Sequence, residues 1–148
     1  MITITGHVQN THDLMVKQGF WDKFNKISTL SIDDEMKDYL RDACINQFLA
    51  LVTTEISEAV ESLRKGKVCT VDLDNGYWLD PDLSTPELEA AWVTEFKSKV
   101  KDTVGDEIAD AVIRILDLCG GIEINLESHI IAKMHYNKTR AKMHGKRF

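Results

Sequence analysis

The chain has 148 residues, 43% of them hydrophobic and 28% charged, which is the composition of one globular domain with a core of its own. A net charge of -6 and a pI near 5.3 exclude a generic binder of nucleic-acid polymers. No apolar run approaches membrane-spanning length, so no membrane partner is expected.

The first element is a helix opened by Thr5 or Gly6 and broken near Gly19, just before Phe20 and Trp21. The N-terminal stretch carries neither a basic start nor an apolar core, unlike a signal peptide. Asp33 or Asp34 caps a long second helix, which Gly66 ends. Residues 67–86 form an irregular insert. It holds both prolines, an Asn75-Gly76 turn signal and a β-like run compatible with a small hairpin. Thr85 caps a third helix with Pro86 at its first position. That helix is expected to reach about Leu118, with a kink near Gly105. Gly120-Gly121 reads as a tight break, and a last helix is expected from about Asn125 to Met143. These elements predict an all-α bundle of about four helices forming a single domain. Cys44, Cys69 and Cys119 are scattered without metal-ligand spacing, and thiols of this kind fit a reducing cytoplasm.

Two pairs of acids carry the chemistry. Glu55 and Glu58 lie on the second helix, and Glu107 and Asp110 on the third. A spacing of three returns almost to the same helix face. At about 100° per residue, Phe48, Val52, Ala59 and Leu63 fall beside Glu55, which therefore lies inside an apolar stripe, with Glu58 on its edge. A buried carboxylate is costly unless it is paired, protonated or metal-bound. Around Glu107 the third helix is apolar over most of its circumference, so it should be enclosed on most sides. Glu107, Asp110, Asp106, Arg114 and Asp117 form its narrow polar strip. That strip could simply face water, and the pairing with Glu55 and Glu58 is what lifts it. Four converging carboxylates call for a cation, and oxygen-only ligands favour Mg²⁺, with Mn²⁺ as the alternative. No Glu has a His three residues later, as a carboxylate-bridged di-iron bundle would require. Asp72, Asp74 and Gly76 lack both the glycine register and the twelfth-position Glu of a calcium loop.

The last helix is basic, with no acid from residue 133 to the end. Lys133, Tyr136, Asn137 and Arg140 share one face of it. A Lys point charge, an Arg fork and an amide suit phosphate oxygens, although a solvated C-terminal helix has a similar composition. Beside a cation site the same face suggests a metal-held phosphate ligand.

Taken in order, these residues resemble the MazG-like all-α nucleoside triphosphate pyrophosphohydrolases. That superfamily includes dimeric dUTPases and phosphoribosyl-ATP pyrophosphohydrolases. Its pattern is Glu-x-x-Glu, then Glu-x-x-Asp, then Lys and Asn on the last helix, matched here by Glu55, Glu58, Glu107, Asp110, Lys133 and Asn137. The likeness covers roughly residues 40–66 and 100–143, with a weaker echo at Gly19-Phe20-Trp21. The 48 residues between Glu58 and Glu107 depart from the short spacer of compact members.

The resemblance implies Mg²⁺-dependent hydrolysis of an NTP or dNTP to NMP and pyrophosphate, in nucleotide-pool house-cleaning. It implies that Glu55, Glu58, Glu107 and Asp110 hold the metal, with Glu58 and Glu55 as catalytic carboxylates and Glu58 orienting the water or taking its proton. Lys133, Asn137, Arg140 and Tyr136 would bind phosphate, and Trp21 would stack on the base unless it is a core or interface anchor. It also implies a homodimer or homotetramer. Two alternatives stand beside it: a non-catalytic helical interaction module, and a hydrolase of another pyrophosphate such as a phosphoribosyl-ATP-like substrate.

Overall fold

The computed structural model describes residues 3–141, and these are all-α, with no strand among them. In chain order the α-helices are α1 (Ile4–Lys17), α2 (Asp22–Lys26), α3 (Asp34–Arg64), α4 (Gly76–Leu79), α5 (Pro86–Lys99), α6 (Val104–Gly121) and α7 (Leu126–Lys138). A 3₁₀ turn, Ile27–Thr29, follows α2. The chain divides into two compact units, one of residues 1–48 and 113–148, the other of residues 49–112. The divisions fall inside α3 and α6. No helix of the described residues is long and apolar enough to cross a membrane.

The first unit is organised by Trp21, its most buried side chain at 1% exposure. Its ring stacks on Phe48, with centroids 4.7 Å apart, and meets His12 and Phe24 edge-on. The indole Nε1 donates to Asp117 Oδ1 at 2.7 Å, and His12 Nδ1 lies 2.9 Å from the same oxygen. Buried Asp117 is thus answered by two side chains from the N-terminal segment. At the other end of α1, the backbone N–H and hydroxyl of Thr5 both donate to Glu127 on α7.

Gly120 and Gly121 do not break the chain; they are the last residues of α6. A Cβ at Gly120 would lie 2.5 Å from His12 Cβ, and one at Gly121 would lie 1.9 Å from the Trp21 ring. The glycines are there for close approach. The turn itself comes two residues later, at Glu123 with φ 57°. Asn125 then caps α7 by accepting from Ser128 N–H. The helix ends at Lys138 rather than near Met143, a residue outside those described. Thr139 closes it, with its N–H and hydroxyl both donating to the Tyr136 carbonyl.

The second unit contains the C-terminal half of α3, the insert, α5 and the first half of α6. Asp33 caps α3, its side chain accepting from Met36 N–H at 2.7 Å, and Gly66 ends the helix at φ 68°. The insert forms no hairpin. Asn75 is the N-cap of α4, accepting from Trp78 N–H, so a residue that reads as a turn signal starts a helical turn. Trp78, Trp92 and Phe96 then pack in series, joining α4 to α5, and Trp92 Nε1 donates to the Tyr77 carbonyl. Thr85 caps α5 and Pro86 begins it, as the sequence predicts.

The expected long third helix is two helices. The chain leaves α5 at Val100, and Asp102 takes a left-handed backbone with φ 58°. Ser62 on α3 donates to the Asp102 carbonyl at 2.9 Å, and Val104 N–H donates to the Lys67 carbonyl at 3.0 Å. Those bonds to the end of α3 compete with helix continuation. Gly105, where a kink is expected, is an ordinary residue of α6.

Candidate metal centre

Glu55 projects from α3 at a point where Ala59 and Ser62 also turn inward. It is 6% exposed, in agreement with its place in the apolar stripe. Glu58, one turn on, is exposed. Glu107 comes from the first turn of α6 and is 5% exposed. Glu55, Glu58 and Glu107 each place a carboxylate oxygen within 4.8 Å of the others. Asp110 is exposed and lies outside that group.

α6 turns inward at the edge of its polar strip, burying Ala111, Leu118 and Cys119 rather than its whole apolar arc. Glu107 and Asp117, from its narrow polar strip, are buried, whereas Ile108, Val112, Ile113 and Ile115 are exposed. α3 is lopsided in the same sense. Leu49, Ile56, Val60 and Leu63 follow one side of that helix and are all exposed, although periodicity places Leu63 in the apolar stripe beside Glu55. Glu55 and Glu107 thus face the interior of the second unit, and part of the apolar surface of α3 and α6 faces out.

Burial pushes the Glu107 carboxyl up from its usual range, and the negative charges of Glu58, Asp106, Glu55 and Asp102 push it further. Crowded like charges raise the cost of ionisation, and a divalent ion would remove that cost. The donor set is all oxygen, which suits a hard cation. Oxygens bound to one Mg²⁺ at about 2.1 Å lie at most about 4.2 Å apart. Small rotations of three Glu side chains would bring the group within that span.

The expected phosphate face belongs to the first unit. On α7, Lys133 Nζ lies 5.0 Å from the Tyr136 ring centroid, and the Arg140 guanidinium lies 5.8 Å from the same ring. Both cations therefore lie against the Tyr136 ring. The Asn137 side chain is exposed beside them, and its carbonyl accepts from Arg140 N–H. Trp21 takes the anchor role. Buried against Phe48, His12 and Phe24, it leaves no ring face for a nucleobase, and the aromatic exposed beside it is Phe20.

Sequence reasoning passed over Lys67, Lys101 and Asp102. Lys101 Nζ lies 2.8 Å from Asp102 Oδ1, and Lys67 Nζ lies 3.9 Å from Asp102 Oδ2. Asp102 lies five residues before Glu107, and its charge adds to those acting on that carboxyl. Nothing in the composition marks this position, because left-handed backbone is usually the province of glycine. Comparison with known proteins finds no matching family model, curated protein or solved structure.

Proposed function

We propose that the protein is a Mg²⁺-dependent nucleoside triphosphate pyrophosphohydrolase of the MazG-like kind, which converts an NTP or dNTP and water to NMP and pyrophosphate. The observation that carries this reading is the Glu55, Glu58 and Glu107 group, drawn from two helices, with two of its three carboxylates buried. Solvated surface acids have no need to be gathered inside a unit, whereas a shared cation gives them a purpose. Asp110 would join as a fourth ligand after a side-chain movement.

The bound ion would screen the triphosphate and lower the pKa of a bound water. In this mechanism Glu58, the accessible member of the group, orients that water and takes its proton. Water oxygen bonds to the α-phosphorus, and the bridge from that phosphorus to the β-phosphate breaks. The family resemblance assigns phosphate contacts to Lys133, Asn137, Arg140 and Tyr136, which belong to the first unit. The biological role would be nucleotide-pool house-cleaning in the cytoplasm.

The exposed apolar flanks of α3 and α6 support assembly as a homodimer or homotetramer, because outward-facing Ile, Val and Leu in contiguous rows mark an interaction surface. Light scattering coupled to size exclusion should give twice or four times the chain mass, and a monomer at micromolar concentration would sink the assembly reading.

The activity is tested with a panel of canonical, deoxy- and modified triphosphates in Mg²⁺ or Mn²⁺, measuring pyrophosphate and orthophosphate separately. Pyrophosphate in equal amount to the monophosphate is expected. Orthophosphate alone would refute the assignment.

A further inference from the structure

Asp102 holds a left-handed turn in the second unit. Its left-handed backbone costs about 1–2 kcal/mol for a residue other than glycine, so it persists only where its surroundings hold it. Four contacts do so. Its carbonyl accepts from Ser62, itself buried, and its N–H donates to Asp106 Oδ2 at 2.9 Å. Its two carboxylate oxygens face the ammonium groups of Lys101 and Lys67. The turn therefore presents two lysines from different parts of the chain, one just past α3 and one just before α6, beside a single carboxylate.

Both lysines are about half exposed, and an ammonium has three donors, so pairing with Asp102 leaves donors for a ligand. Their neighbourhood is the acidic group. The turn is tied to that group on both sides: Asp102 N–H donates to Asp106, the residue before Glu107, and its carbonyl accepts from Ser62, one turn beyond Glu58 on α3. A turn bonded beside Glu58 and Glu107 is placed to bring its lysines to anions bound through a metal there.

We propose that Lys67 and Lys101, steadied by Asp102, form a phosphate-binding pair for the β- and γ-phosphates, the part of the substrate that leaves as pyrophosphate. The pair rests on the reading of the acidic group as a metal-triphosphate site. As the bridge to the α-phosphorus breaks, negative charge accumulates on the departing pyrophosphate. Two fixed ammonium groups stabilise it there without a change in their own protonation. Asp102 acts as a positioning residue.

The test is calorimetric titration of inorganic pyrophosphate into the full chain saturated with Mn²⁺, for wild type, Lys67→Ala, Lys101→Ala and Lys101→Arg. Pyrophosphate affinity should fall at least tenfold in each Ala variant and return to within threefold of wild type in Lys101→Arg. The Kd for Mn²⁺ alone should stay within twofold throughout. Where an Ala variant fails to fold by circular dichroism, the Gln variant at the same position replaces it. Pyrophosphate affinity unchanged within twofold would overturn the pair, even if melting temperatures fall, because the lysines would then serve only to hold the turn. Wild-type protein that neither binds Mn²⁺ nor releases pyrophosphate from a triphosphate would overturn the underlying site and the pair with it. Intact turnover with unaltered variants would remove the pair alone.

Discussion

Two buried carboxylates, one in each unit, are treated in opposite ways. Asp117 has donors built around it: His12 and Trp21 converge on one of its oxygens, and Gly120 and Gly121 make room for both rings. Glu107 has other acids around it: Glu55 and Glu58 share its locality, and Asp102 and Asp106 add to the same field. A carboxylate held for structure is matched by protein donors, as at Asp117. A carboxylate surrounded by negative charge weakens the fold that contains it, and such an arrangement points to a cationic ligand.

The sharpest way to break this comparison is turnover. Replacing Glu58 with Gln should lower kcat at least 100-fold while leaving the circular dichroism spectrum intact, because it removes the proposed proton acceptor and a metal oxygen together. Full activity in that variant would detach the acidic group from catalysis. The next largest effects belong to the Asp117 knot. Asp117→Ala should cost roughly 2–3 kcal/mol in urea unfolding, since Trp21 Nε1 would be left buried and unpaired. Gly121→Ala should destabilise by a similar amount, about 1–3 kcal/mol, by driving a methyl into the Trp21 ring. Neither change should alter metal affinity if the two carboxylates have separate roles.

Glu107 should behave in the opposite sense to Asp117. Its carboxyl titrates higher in the folded protein than in the unfolded chain, so the folded form holds the proton more tightly. Its contribution to metal-free stability is therefore most favourable below the unfolded value and is lost as pH rises through the folded one. Glu107→Gln should accordingly raise the metal-free melting temperature at pH 7, by about 2–4 °C for a gain of roughly 1 kcal/mol. The gain should shrink as the pH is lowered toward the ordinary carboxylate range. A variant that melts lower than wild type at pH 7 without metal would show that Glu107 is matched by the protein after all. The smallest effect is expected at Tyr136→Ala, where loss of an exposed cation–π contact is worth about 0.5–1 kcal/mol. It should appear as a small loss of stability in urea unfolding.

The acids were legible because helix periodicity is strict: Glu55 interrupts a run of apolar neighbours, and its burial follows. The caps Asp33 and Thr85 were legible for a similar local reason, a side-chain oxygen placed before a helical run. Three features were not legible. The bend at Asp102 carries no glycine, and the bonds that favour it come from Ser62 and Lys67, far along the chain. Gly120-Gly121 has the composition of a turn, but its small size answers His12 and Trp21. The facing of α6 could not be read because periodicity separates two faces without saying which is covered. Ile108 and Val112 belong to the apolar face, yet it is Glu107 that turns inward.

The central claim is that Glu55, Glu58 and Glu107 share a divalent cation. It is met most directly by calorimetric titration of Mn²⁺ into wild-type protein and Glu107→Gln, with melting temperatures recorded across the same metal series. A saturable site, a rise in melting temperature with metal, and loss of both in the variant are the predicted results. Binding and stabilisation that are absent in wild type, or equally strong in Glu107→Gln, would contradict it.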